Sequence, residues 1–298
     1  MTRLAALLLL TLAGVGQGTP APAAANQESC PTVGTVSVST APLSPEQMTR
    51  ELALVPGTVA RPGLASPTRA PWINTNGSRF MRKPAAKYRY ELPEGKGALA
   101  AAEALVYSAD AVLQIAPADL PAVCRVLTFG KDTPAVPLPD LADIGFVDDG
   151  SAIAGEVMNL FVRRNLLFQI VSEPQSRFPV NVKMGTPEYP VAEAADPSAF
   201  ALKIRRQLTD ERRRMRIFGS EVVIARLTGD GNRIRLHLLN YGNREIAGLR
   251  VRLRGTYRGG DAFVPGQVRV DLIDFNAADG ATEFSVPLLT TYVIVDLR

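Results

Sequence analysis

The C-terminal part of the chain alternates between hydrophobic and polar positions with a period of two. Six segments show this alternation, namely SEVVIARL, RIRLHLLNY, GLRVRLRG, QVRVDLIDF, ATEFSVPLL and TYVIVDLR, with turn-forming stretches such as GDGN, GNRE, YRGGDAF and NAADG between them. Alternation places every second side chain on one face, so each segment predicts a short strand with one face in a core. Residues 219–298 are therefore predicted to form an antiparallel β-sandwich, with a barrel as the alternative.

Residues 71–218 show a different pattern, in which helical and strand-like segments follow one another. The helical segments are 96–109, 117–129, 151–165 and a helix that begins after Asp196. The stretch RRRMR either continues this last helix or forms a separate short turn after it. The strand-like segments are 110–115, 141–147, 166–173 and 178–185. Strands separated by helices in this way are parallel and joined by helical crossovers. We therefore predict an α/β domain with a parallel sheet.

The N-terminus predicts a signal peptide over residues 1–25. Arg3 precedes the apolar run LAALLLLTLAGVG, and APAAA supplies small residues for cleavage. A retained membrane anchor is the alternative. Residues 26–70 are rich in Pro, Ser, Thr, Gly and Ala and predict a linker or disordered arm. No other apolar run has the length of a transmembrane helix, so no stable membrane span is expected after cleavage.

The chain has two cysteines, Cys30 and Cys124. In an oxidising compartment they either form one disulfide, which would attach the N-terminal arm to the body, or remain as a loose and a buried thiol. The charge pattern adds little, because 33 basic residues against 29 acidic ones leave a net charge of +4. That excess is too small to imply nucleic acid, and the scarcity of aromatic residues also argues against such a partner.

The segment RIRLHLLNYGNREIAGLRVRLRG, residues 233–255, holds six arginines and the only histidine of the chain, His237. Alternation directs Arg235 and His237 to the outer face of one strand and Arg250, Arg252 and Arg254 to the outer face of the next. We expect a solvated face that is partly paired with Asp271 and Glu283 on neighbouring strands. A surface for an anionic ligand is the alternative. A single histidine excludes metal sites that need several histidines, and no metal is predicted.

Asp148 and Asp149 are the candidates for catalysis. They end an apolar strand just before a helix, which is where open α/β sheets place their ligands. A carboxylate pair of this kind binds a metal or shares a proton, whereas the alternative is a turn followed by a helix cap. No cofactor is predicted, because the chain has no GxxxxGK[ST] motif for phosphate.

Trp72, Asn74 and Asn76 form the best candidate cluster for contact with a sugar. The tryptophan offers a stacking ring and the two amides offer hydrogen bonds. A packed tryptophan beside a polar turn is the alternative. Tyr88 and Tyr90 are expected on an exposed strand or loop.

Two stretches resemble the C-terminal β-domain of bacterial glycoside hydrolases, namely the segment around HLLNY and the ending DGATEFSVPLLTTYVIVDLR. IGFVDDGSAIAGEVMNLFVRRNLLFQIV is similar to the amidotransferase-like α/β module that precedes such a domain. Residues 71–115 resemble the end of a glycosidase TIM barrel. The resemblance covers residues 70–298. It leaves no room for most of a barrel, which needs about 200 residues or more, so no catalytic residue is carried over.

The resemblance implies a carbohydrate-associated accessory or binding protein, and the predicted signal peptide implies export to the bacterial periplasm or exterior. The alternatives are a residual glycosidase-like hydrolase and a structural module that forms homo-oligomers. Competence in catalysis is not expected of this chain alone, and the expected ligand is a glycan.

Overall fold

The computed structural model describes residues 30–40, 46, 58–59, 75–134, 136–219, 222–242, 244–267 and 269–298. The predicted signal peptide and most of the predicted arm lie outside these residues, as do Trp72 and Asn74. The predicted fold class is confirmed, because a parallel α/β half is followed by an antiparallel β half.

The α/β half contains five described helices and seven described strands. The helices are α1 (Gly77–Arg82), α2 (Gly97–Val106), α3 (Leu120–Asp132), α4 (Ala152–Arg163) and α5 (Pro197–Arg212), with 3₁₀ turns at Pro117–Asp119 and Val191–Ala195. The strands are β1 (Val36–Ser39), β2 (Thr58–Val59), β3 (Lys87–Glu91), β4 (Asp110–Gln114), β5 (Ile144–Val147), β6 (Phe168–Val171) and β7 (Val180–Lys183). Asp196 caps α5 as expected, because its carboxylate accepts hydrogen bonds from the backbone of Ser198 and Ala199.

The described strands of this half form two small parallel sheets, in the orders β1-β4-β3-β2 and β6-β5-β7. α2 owes its helical form to Ala, Leu and Glu, which are strong helix formers. Four alanines of α2, namely Ala100, Ala101, Ala102 and Ala104, are fully buried, and they allow the helix to lie close to the strands.

The β half is a sandwich of two antiparallel sheets. Its strands are β8 (Met215–Phe218), β9 (Val223–Gly229), β10 (Ile234–Asn240), β11 (Ile246–Arg254), β12 (Gly260–Phe263), β13 (Val270–Asp271), β14 (Ile273–Ala278), β15 (Ala281–Leu289) and β16 (Tyr292–Leu297). One sheet has the order β13-β12-β16-β10-β9, and the other has the order β14-β15-β11-β8.

Several strands differ from the sequence-based expectation. β1 and β2 lie in the segment predicted to be a linker or disordered arm, and β1 pairs with β4 in the first parallel sheet. β8 and β12 are two further cases. RRRMR does not continue the preceding helix, since β8 begins at Met215 and pairs with β11. β12 lies inside YRGGDAF, which was expected to be a turn, and it pairs with β16. Both strands have only four residues, so partners far away in the sequence stabilise them rather than their own pattern. The predicted domain boundary at residue 219 stays a proposal, although the sandwich sheet already includes β8.

The outer faces of β10 and β11 differ in a way that corrects one prediction. On β11, Arg250 and Arg254 are exposed as expected, and Glu283 pairs with Arg250 and Arg252. On β10, Arg235 is only 7% exposed. The face is not solvated because α2 contacts β10 there and Phe129 of α3 packs on Tyr292 of the neighbouring strand. Asp271 pairs with Arg269 instead of the arginines of residues 233–255.

Cys30 and Cys124 are joined by a disulfide, which attaches the segment before β1 to α3. Among the described helices, none combines the length and the apolar character needed to cross a membrane.

Candidate functional site

A cleft of about 750 Å³ lies between the C-terminal half of α3 and the edge of the sandwich. α3 is amphipathic, with Val123, Val126 and Leu127 in the core, so Arg125 and Asp132 point away from it and line the cleft. The opposite wall comes from Phe263 of β12 and from Gln267 in the following turn.

The turn that closes the cleft depends on Gly266. Its φ of +85° is in the region that favours glycine, and a Cβ atom there would lie 3.0 Å from Cδ of Arg125. The turn places Gln267 beside α3, although the two segments are far apart in the sequence.

The floor of the cleft is an ion pair between Arg235 and Asp296. Nε and Nη2 of the arginine donate to the two carboxylate oxygens at 2.7 Å each, and Nη1 donates to the carbonyl oxygen of Pro134 at 2.7 Å. A bidentate pair of this kind is strong and fixes the orientation of both groups. The positive charge of Arg235 is therefore compensated where it meets the cleft.

His237 lies next to Arg235 on the same face of β10, under the α/β half. Its Nδ1 is 2.8 Å from the hydroxyl of Tyr292, with which it shares a hydrogen bond. Burial lowers the pKa of His237 to about 3, with a further contribution from Arg226 and Arg235. The imidazole is neutral at physiological pH and serves as a hydrogen-bonding group rather than as a proton donor.

The structure places Asp148 and Asp149 directly after β5, as expected. Asp148 accepts bonds from Nε and Nη2 of Arg82 at 2.7 and 2.6 Å, and Asp149 accepts one from the backbone of Ser151, the N-cap of α4. Burial acts to raise the pKa of Asp148, but the hydrogen bonds from Arg82 and Gly150 outweigh it and lower that pKa. This geometry supports the turn and cap interpretation.

Asp148→Asn is expected to lower the free energy of unfolding by about 2 kcal/mol at neutral pH, because a charge-assisted bidentate pair is lost. A lowered folded-state pKa means that the stabilisation is present above the unfolded pKa of about 3.9 and is lost as the pH falls through the folded value. Urea unfolding at several pH values measures this, with the exposed Asp149→Asn as the control. The prediction would be contradicted if Asp148→Asn lowered the free energy of unfolding by no more than Asp149→Asn does.

Asn76 lies in the interior, not at a sugar-binding surface. Its side chain is fully buried, and its backbone and side-chain amides donate to Glu103 at 2.7 and 3.0 Å. The hydroxyl of Tyr90 also donates to Glu103, at 2.8 Å, as does that of Tyr241 from the sandwich. Tyr88 and Tyr90 are buried on β3, so the expectation that they are exposed is wrong, because α1 and α2 cover this face of the sheet.

Glu103 was missed by sequence reasoning. Burial raises its pKa, and the bonds from Tyr241, Asn76 and Tyr90 offset this only in part. The sequence feature that could have indicated a buried role is that Glu103 is the only charged residue among the alanines of α2. Its hydrogen-bond partners come from three other segments, so this feature does not identify them. Glu103 joins the two halves of the molecule.

A polar row lies where the strands of the first parallel sheet end. The register aligns Ser39, Gln114 and Glu91 across β1, β4 and β3, and Arg89 donates to the side chain of Gln114. Glu91 is the one carboxylate that the described side chains place in this row. Hydrolysis of a glycosidic bond commonly uses two carboxyl groups. Within the described part of the chain, no three His, Cys, Asp or Glu residues come together as a metal site.

Comparison with known proteins gives a likeness of fold. No family model matches the chain, and no curated protein matches it. The solved structure of α-L-fucosidase isoenzyme 2 from Paenibacillus thiaminolyticus matches with a TM-score of 0.55 and 11% identity. The match covers 78% of this chain and 64% of the fucosidase, so the chain spans less than two thirds of that structure.

Weaker matches are a cycloisomaltooligosaccharide glucanotransferase from Paenibacillus sp. and a family 30 xylanase from Clostridium acetobutylicum. The first has a TM-score of 0.32 and 9% identity over 67% of this chain and 26% of the other. The second has a TM-score of 0.26 and 9% identity over 74% of this chain and 44% of the other. Only the fucosidase match has a TM-score above 0.5 among these three, and it shows a likeness of fold alone.

Proposed function

We propose that this protein, with its glycoside hydrolase-like fold, is an exported accessory protein that binds a carbohydrate. The observation that carries the proposal is the cleft between α3 and the sandwich. Its volume of about 750 Å³ lies within the range of small-molecule sites, and apolar rings alternate there with hydrogen-bonding groups.

A sugar suits this lining because it has apolar C–H faces and hydroxyl groups on its edges. Phe129 and Phe263 are both partly exposed in the cleft and offer apolar ring surface. Arg125, Asp132 and Gln267 are exposed and offer both donors and acceptors to hydroxyl groups. The matched fucosidase acts on a carbohydrate by its name, which agrees with this class of ligand.

Binding is favoured over hydrolysis by the state of the two carboxylates in the cleft. Glycosidases commonly use one carboxyl group as an acid and a second as a nucleophile or base. Both carboxylate oxygens of Asp296 are bonded to Arg235, which leaves Asp132 as the carboxylate available to a ligand. The alternative is a residual enzyme. It would be supported if the protein hydrolysed aryl glycosides and lost this activity on substitution Asp132→Asn, Asp148→Asn or Asp149→Asn.

Export to the periplasm or the exterior is part of the proposal. The predicted signal peptide supports it, and so does the disulfide between Cys30 and Cys124, since disulfides persist in oxidising compartments. Homo-oligomer formation stays a prediction, to be measured by light scattering over a range of protein concentrations.

Phe263→Ala is expected to weaken the binding of a neutral oligosaccharide about tenfold, because loss of the ring removes about 1.4 kcal/mol of contact. An array of neutral oligosaccharides that contain glucose, xylose and fucose identifies the ligand, and calorimetry gives the Kd. Phe218→Ala is the matched control, since Phe218 is a partly exposed phenylalanine on β8 in the other sheet.

Absence of binding to every sugar on the array would contradict the proposed function, as would equal effects of the two phenylalanine variants. Trp72→Ala and Asn74→Ala test the prediction that these two residues contact the sugar.

A further inference from the structure

A second cleft, of about 580 Å³, lies beside the first along the interface between the two halves. Its walls are the segment before β1, the end of α2 and the outer face of β10, with Thr35 and His237 on opposite sides. Thr133, Pro134, Val136 and Arg235 line both clefts. The two clefts are therefore neighbours that share one wall. The described residues 133–134 and 136–138, called the crossing segment below, line this wall.

The crossing segment is attached to the sandwich mainly at its two ends. At one end, Arg235 donates to the carbonyl oxygen of Pro134. Just beyond the other end, Gly229 donates to the carbonyl oxygen of Pro139, and Leu141 donates to that of Leu227. The described residues of the crossing segment thus belong to no helix or strand.

The lining of the first cleft carries no net charge, because the exposed Arg125 and Asp132 have opposite signs, and the remaining charges are held in ion pairs. Arg235 is paired with Asp296 in the shared wall, and Arg226 is paired with Asp140 in the second cleft, with Nε–Oδ1 and Nη2–Oδ2 distances of 2.7 and 3.1 Å. His237 is neutral. The arginines therefore do not select an anionic ligand, and a ligand that matches these walls is polar but uncharged.

Two aromatic rings in contact connect the linings of the two clefts, and Tyr292, the deeper of the two, is only 3% exposed. Phe129 lines the first cleft, Tyr292 lines the second, and their rings meet edge to face with centroids 5.7 Å apart. The hydroxyl of Tyr292 is hydrogen bonded to His237, so the second cleft also presents a polar group beside an apolar one. A chain of sugar units has the same alternation of apolar faces and hydroxyl edges.

We infer that the two clefts are halves of one groove, which holds a neutral oligosaccharide along the interface between the α/β half and the sandwich. This rests on the proposed function and deepens it, because it specifies an uncharged chain of several units. Each cleft alone has the size of a small-molecule site, so a short sugar fills the first and a longer one gains contacts in the second.

The test is the dependence of affinity on chain length. The neutral sugar that binds best on the array is measured by calorimetry as a series from disaccharide to hexasaccharide. The affinity is expected to rise about tenfold or more along the series, which is the increase that one additional contact of moderate strength in the second cleft would give. Thr35→Trp, at an exposed position in the second cleft, is expected to remove this rise and to leave the disaccharide affinity unchanged.

Thr290→Trp is the matched control, since Thr290 is an exposed threonine outside both clefts, and it is expected to retain the rise. His237→Gln is a second variant, which keeps a polar group and is expected to reduce only the affinity for long chains. An affinity that does not depend on chain length, with the Phe263→Ala effect intact, overturns this inference but not the proposed function. Absence of binding to all the sugars overturns both.

Discussion

Replacing Glu103 with alanine is expected to lower the free energy of unfolding by about 4 kcal/mol. The carboxylate is fully buried and accepts four hydrogen bonds, two from Asn76 and one each from Tyr90 and Tyr241. Its loss leaves these donors in the interior without an acceptor, and each unsatisfied buried group costs about 1–3 kcal/mol. Partial relaxation around the small alanine keeps the total below the sum of the separate losses.

Urea unfolding of the variant and the parent measures this effect. Glu156→Ala is the matched control, because Glu156 is an exposed glutamate on another helix, and its replacement is expected to change stability by less than about 0.5 kcal/mol. Tyr241→Phe removes only the bond from the sandwich and is expected to cost about 1 kcal/mol. Equal stabilities of Glu103→Ala and the control variant would contradict the prediction.

The pH dependence gives an independent measure of the same group. Burial raises the pKa of Glu103, so the folded chain binds its proton more tightly than the unfolded chain. This contribution to stability is complete below the unfolded pKa of about 4.3 and is lost as the pH rises through the folded value. The stability of the parent relative to Glu103→Gln is therefore expected to fall over that range, and an unchanged difference would count against a buried titrating carboxyl.

Loss of the disulfide is the second large expected effect. Cys124→Ser is expected to lower the free energy of unfolding by about 4–5 kcal/mol, because the cross-link joins residues that are 94 positions apart. A loop of that length has much more freedom in the unfolded chain once it is open. The segment before β1 also loses its attachment to α3, so the loss of order begins there.

Thermal and urea unfolding with and without a reductant measure the effect of the disulfide. A reductant is expected to destabilise the parent by the same amount as Cys124→Ser does. It should have no effect on the variant in which both Cys30 and Cys124 are serine, which serves as the control. A parent whose unfolding transition is the same with and without a reductant would refute the prediction.

The order of elements was predictable wherever the local pattern is strong. β10, β15 and β16 lie within the segments whose alternation predicted them, and β9 and β11 overlap theirs but extend two residues beyond them. β8 and β12 were missed because four residues are too few to show a period, and their pairing with β11 and β16 comes from distant parts of the chain.

The candidate site was less predictable than the fold. Arg125 and Gln267 come together in the first cleft, and Glu103 meets Tyr241, although each pair is separated by well over a hundred positions. Nothing in the local sequence of either member indicates the other. Without related sequences to compare, no pattern along one chain marks such a contact.

The amino-acid pattern is enough to assign the two faces of the sandwich strands, because a period of two follows from strand geometry alone. β10 and β11 have the same alternation, with arginines on the outer face of both. In the folded protein, Arg250 on β11 faces solvent, whereas Arg235 on β10 lies under the α/β half with Asp296 and Pro134 as its partners. Alternation separates the two sides of a strand, but whether the polar side meets water or protein depends on which element packs against the sheet.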